Sequence, residues 1–154
     1  MMTKLCADVL TALTGKTLVT AESLTGGGIG AALTAVSGSS AVYKGGIISY
    51  TNWVKENVLG VSGQLLQQQG AVSAPVAKAM AEGARRALQA DMAVSVTGLA
   101  GPGGDDYGNP VGTVFIGYAD ERGSCVKQCL FTGSREEIRD QTIETALHLI
   151  LQQQ

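Results

Sequence analysis

Thr17-Leu18-Val19-Thr20-Ala21-Glu22-Ser23-Leu24-Thr25-Gly26-Gly27-Gly28 carries an apolar, β-rich segment straight into three glycines. Residues 17–21 favour a short buried strand, because branched and apolar side chains suit a covered, pleated surface. The glycines permit a tight reversal and let another group come close to the backbone. Residues 29–36 then show a helical pattern that stops near Gly38. A strand turning through glycine into a helix is the start of an α/β unit, and the rest of the chain keeps alternating.

Upstream, residues 4–13 place Leu5, Val9, Leu10 and Leu13 on one helical stripe, which Gly15 ends. Downstream, residues 42–50 form a second strand whose Gly45-Gly46 predicts a bulge or a close backbone approach. Two short helices, 53–59 and 62–69, flank Gly60. Ser73 before Pro75 opens a helix to about residue 89, with Ala77, Ala81, Ala84 and Leu88 on one side. Residues 92–96 form a strand, and 97–110 a long Gly/Pro/Asp loop. Residues 111–119 and 124–131 make a hairpin around a turn at 120–123. Ser134-x-x-Glu137 is a capping box for a last long helix to about residue 151. This order predicts a mixed sheet with helices on both faces, in one domain over residues 1–154.

A chain of 154 residues buries enough surface to fold without disulfide or metal. Its net charge of −2 and scattered Lys and Arg argue against nucleic acid as a partner. Charged residues make only 16% of the chain, a thin coat that favours subunit contacts and hence a homo-oligomer. No apolar run reaches membrane-spanning length, and the N-terminal residues lack a signal-peptide pattern. Cys125 and Cys129 lie four residues apart on a predicted strand, roughly 13 Å, too far to share a metal or a bridge. Reduced thiols of this kind suit the cytoplasm. With a single histidine, His148, no metal site is expected, and no cofactor is called for.

Three polar or glycine-rich segments each follow a predicted strand: residues 22–28, 49–52 and 97–104. Ligands of open α/β sheets settle beyond the carboxyl ends of the strands, so parallel neighbours would bring all three to one rim. The turn at 25–27 enters a helix, whose free N–H groups suit an anion or oxyanion; a self-contained tight turn is the plainer alternative. Familiar motifs fail. Gly15-Lys16-Thr17 lacks the first glycine of a P-loop, Gly26-x-Gly28-x-x-Ala31 lacks a partner acid about twenty residues on, and neither G-x-S-x-G nor S-x-x-K occurs. His148 sits far off in the last helix, which makes a Ser-His-Asp triad unattractive. A lysine in an apolar pocket can activate a serine instead, and Lys55 and Lys44 are the candidates nearest the second strand.

At these residues the sequence resembles the CinA C-terminal domain family. Thr20-Ala21-Glu22-Ser23-Leu24-Thr25-Gly26-Gly27 resembles that family's TAES-C-TGG signature. The likeness continues in order through Gly38-Ser39-Ser40, Tyr50-Thr51-Asn52 with Lys55, Gly70-Ala71-Val72-Ser73, Thr97-Gly98-Leu99-Ala100-Gly101-Pro102, Pro110-Val111-Gly112-Thr113-Val114, and Gly133-Ser134-Arg135 with Arg139. It implies a three-layer α/β/α sandwich, commonly oligomeric. Stand-alone members resemble nicotinamide-nucleotide amidases, which turn nicotinamide mononucleotide and water into nicotinate mononucleotide and ammonia. Other members carry an additional N-terminal molybdopterin-binding-like domain, which is not expected here.

Carried over, the resemblance implies Ser23 as nucleophile with Ser40 as rival, and Tyr50 and Lys55 as activator and proton shuttle. Thr25, Gly26 and Gly27 would contact the carboxamide oxyanion or the phosphate. Thr97 would position substrate, and Arg135, with Arg139, would pair with the phosphate. The course would be acyl transfer, or direct attack by water with the serine orienting the amide. Leu24 replaces the family's usual cysteine and is expected to point into the core. Trp53-Val54 stands where a polar or acidic pair is common, and Asp105-Asp106-Tyr107 fills a variable loop. The alternatives are a non-catalytic nucleotide- or partner-binding module and an amidohydrolase for another amide.

Overall fold

A computed structural model describes residues 2–154; Met1 lies outside them. The chain runs α1 (Met2–Ala12), β1 (Leu18–Glu22), α2 (Gly28–Thr34), β2 (Tyr43–Ile48), α3 (Asn52–Asn57), α4 (Gly63–Gln69), α5 (Ala74–Ala87), β3 (Met92–Gly98), β4 (Thr113–Asp120), β5 (Gly123–Leu130) and α6 (Arg135–Gln152). The strands form one mixed sheet in the order β2-β1-β3-β4-β5. β1 is parallel to both β2 and β3, and the β4–β5 hairpin completes the sheet antiparallel.

Side chains alternate between the two faces, as the period of a strand requires. Leu18, Val94, Val96, Val114 and Ile116 pack under α1, α2 and α6 in one core. Val19, Ala21 and Ala93 pack under α4 and α5 in the other. Helices therefore cover both faces, giving the sandwich expected from the sequence. The small stripe of α5 lets it lie close to the sheet: Ser95 Oγ donates to the Ala77 carbonyl at 2.6 Å. A Cβ added to Gly117 would stand 2.5 Å from that same oxygen.

Boundaries depart from the sequence reading where backbone groups are claimed elsewhere. β2 begins only at Tyr43, because residues 39–41 form a 3-10 turn. Its register slips by one residue between Tyr43 and Gly45, the bulge that the paired glycines predicted. β4 begins at Thr113 rather than residue 111, since Gly112 takes a positive φ of 92° and its N–H turns to the Leu99 carbonyl. No helix among the described residues is long and apolar enough to cross a membrane.

Candidate active site

The carboxyl ends of β1, β2 and β3 share one edge, and the segments that follow them meet around a cleft of about 340 Å³. Ser23 and Leu24 come from the first, Tyr50 and Asn52 from the second, and Thr97 to Gly101 from the third. Lys55, Val72 and Arg135 complete the wall. The expected convergence is thus a feature of the fold, set by parallel pairing of the three strands.

Lys55 stands on the inner face of α3 and is 1% exposed. Its Nζ donates to Ser23 Oγ at 2.9 Å, to the Ser49 carbonyl at 2.7 Å and to the Tyr50 carbonyl at 3.3 Å. Burial without a carboxylate partner disfavours the ammonium, and pushes its pKa down to about 8. Three acceptors match the three hydrogens of the charged form. In the neutral amine the two carbonyls hold both remaining hydrogens, so the lone pair faces the Ser23 hydroxyl. Ser23 itself is fixed by its N–H bond to the Val96 carbonyl at 3.1 Å. The amide of Leu24, the next residue, finds no acceptor among the described residues.

The glycine turn follows the plainer of its two readings, a self-contained turn. Glu22 is 2% exposed, and its carboxylate accepts the Thr25 hydroxyl at 2.6 Å, the Ile29 N–H at 2.8 Å and the Gly30 N–H at 3.0 Å. The start of α2 is therefore closed by the chain's own carboxylate, and the Thr25 hydroxyl is engaged there. Gly26 and Gly27 take positive φ values of 59° and 102°, and the Gly26 N–H bonds back to the Ser23 carbonyl. These three residues shape the turn behind Ser23 and do not line the cleft. Arg139 is likewise held inward: its guanidinium donates to the Leu24 carbonyl at 2.9 Å and the Thr25 carbonyl at 3.2 Å.

Ser40 is not brought to the cleft. It lies in the 3-10 turn before β2, at the amino end of that strand, whereas the cleft stands at the carboxyl ends. Lys44 is also away from it, exposed and bonded to the Gln89 carbonyl. Arg135 does reach the rim. The Ser134–Glu137 capping box, with both of its hydrogen bonds formed, starts α6 one residue before it. Its guanidinium donates to the Gly101 carbonyl at 2.6 Å and to the Tyr50 hydroxyl at 3.3 Å. Thr97 is 1% exposed and donates to the Ala71 carbonyl, tying the two walls together.

Leu24, in place of the family's cysteine, packs into the core at 4% exposure. Trp53 stands exposed beside Asn52. The 101–110 loop is latched by the Tyr107 hydroxyl to the Gln67 carbonyl, and by the Asn109 amide to the Val72 carbonyl. Sequence reasoning gave no part to the Glu22 side chain or the Ser49 carbonyl. A carboxylate just before a glycine turn and a helix start was the available signal for Glu22; the Ser49 contact is a backbone one and leaves no mark in residue type.

A sequence profile described as the CinA C-terminal domain matches residues 2–154. A CinA-like protein of Geobacter sulfurreducens is 50% identical over 133 residues, which are 86% of this chain and 32% of that protein. One from Synechococcus sp. is 49% identical over 137 residues, 88% of this chain and 33% of the other. The chain thus spans about a third of the length of the curated relatives it matches. Among solved structures, a competence/damage inducible protein from Agrobacterium tumefaciens superposes with a TM-score of 0.94 at 40% identity, over 98% of this chain and 94% of that one. A competence-damaged protein (CinA) superfamily protein from Escherichia coli gives 0.97 at 32% identity, over 100% and 91%. The motifs that meet at the strand ends, the whole-length profile match and these likenesses agree: the chain belongs to the CinA C-terminal domain family.

Proposed function

We propose that this chain hydrolyses the carboxamide of nicotinamide mononucleotide to nicotinate mononucleotide and ammonia, with Ser23 as nucleophile and Lys55 as its base. The observation that carries the reading is the 2.9 Å contact between Lys55 Nζ and Ser23 Oγ in a desolvated pocket. A base with a pKa near the working pH is partly neutral at rest and can still return the proton, as acid–base catalysis needs. A cleft of about 340 Å³ is within the range of small-molecule sites.

Ser23 Oγ attacks the carboxamide carbon while its proton passes to Lys55. The oxyanion that forms faces the free Leu24 N–H. Lys55 then gives its proton to the amide nitrogen, the C–N bond breaks and ammonia leaves an acyl-Ser23. Neutral Lys55 takes a proton from water, hydroxide adds to the acyl carbon, and the Ser23 oxygen departs reprotonated with release of the carboxylate. Arg135, at the rim, pairs with the phosphate of the substrate; the exposed Tyr50 hydroxyl beside it serves as the second proton-bearing group at the mouth.

The test is ammonia release from nicotinamide mononucleotide by the purified protein. Ser23→Ala is expected to lower it by about 10² or more. Undiminished release by that variant removes Ser23 from the role, and no release by the unaltered protein removes the substrate.

A further inference from the structure

Glu22 is a carboxylate at 2% exposure that makes no ion pair among the described residues. Burying such a group is costly unless its lone pairs are satisfied. Here three donors satisfy it: the Thr25 hydroxyl and Ile29 N–H on Oε1, and the Gly30 N–H on Oε2. Together they close residues 22–30 into a ring with Ser23 inside it. The main chain of the same residue reaches the other partner. The Glu22 carbonyl accepts the Ser49 N–H at 2.8 Å, and the Ser49 carbonyl accepts Lys55 Nζ at 2.7 Å.

We infer that Glu22 is the positioning residue of the Ser23–Lys55 pair, its side chain fixing the turn that carries the hydroxyl and its carbonyl fixing the strand end that holds the amine. The inference rests on the reading of Ser23 as nucleophile. Glu22 touches neither member of the pair through its side chain, so it acts on the contact only through geometry. Displacing a reacting group by about 1 Å can cost on the order of 10² in rate.

Glu22→Gln keeps the shape but sets an NH₂ group against one of the three donors. Thr25→Val removes one donor and keeps the carboxylate. Each is compared with the unaltered protein for kcat, KM, melting temperature and the rate at which a sulfonyl fluoride labels Ser23, located by peptide mass and scaled to the folded fraction. For Glu22→Gln, kcat and the labelling rate are expected to fall together by about 10-fold or more, with KM changed less than about threefold. Thr25→Val is expected to move both rates the same way by less. A lower melting temperature with labelling rate and kcat of the folded protein unchanged makes Glu22 a fold residue only and overturns the inference. Should Glu22→Gln not fold, unchanged rates in Thr25→Val overturn it equally. Absence of Ser23 labelling in the unaltered protein, with full turnover in Ser23→Ala, overturns the nucleophile reading and this inference with it.

Discussion

The two ends of the sheet carry opposite kinds of polar cluster. At the amino end of β1 and β3, a cavity of about 390 Å³ is lined by Lys16, Arg85, Asp91, Asp120 and Arg122. It is larger and more charged than the cleft beside Ser23. Yet its two aspartates are answered: Asp91 accepts the Thr17 N–H and hydroxyl, and Asp120 accepts the Tyr118 hydroxyl and pairs with Arg122 at 2.6 Å. Hydrogen bonding from Arg122 holds the Asp120 carboxyl down at about 2, which stabilises it in its resting charge state. Lys55 is shifted for the contrary reason. Nothing neutralises it, and desolvation brings it to about 8 beside a hydroxyl. Volume and charge therefore do not single out the cleft beside Ser23; a group made uncomfortable in its resting form does.

Lys55→Met gives the largest effect that could break this contrast. Turnover is expected to fall by about 10² or more. In the unaltered protein kcat/KM should rise as pH increases through about 8, following the neutral amine. Stability carries the same signature. The unfolded lysine binds its proton up to about 10.5 and the folded one only to about 8, so folding releases a proton between these values and stability rises with pH there. Urea titrations should show the unaltered protein gaining up to about 3 kcal/mol on Lys55→Met across that window. A flat difference would mean that Lys55 is not buried as the amine's shift requires.

Arg135→Ala tests the rim and should act mainly on binding. KM for nicotinamide mononucleotide is expected to rise about 10-fold or more. Nicotinamide riboside, which lacks the phosphate, should lose little; equal losses for both compounds would remove Arg135 from phosphate recognition. Asp120→Asn, at the opposite end, is the smallest change and the control for the comparison. Turnover should stay within about twofold, since the substitution touches no group of the cleft. The carboxylate's contribution, small for a pair with so exposed an arginine, is present above about pH 4 and lost as pH falls towards 2. Acid unfolding midpoints of the two proteins measure it.

Local chemistry is what the sequence by itself determined. Strand period, glycine stops and the Ser134–Glu137 box depend on neighbours in the chain, so the element order, the β2 bulge and the start of α6 were legible from residue types. The three converging segments were legible too, because each simply follows a strand. Which serine faces which lysine was decided only by tertiary structure: Ser23 and Lys55 are 32 residues apart, and Ser40, closer in sequence to that lysine, lies at the wrong end of β2. The engagement of Glu22 and Arg139 with the turn around Ser23 was hidden for the same reason. Hydrogen-bond partners are chosen by proximity in space, and a buried polar group takes whichever partner the packed elements bring to it.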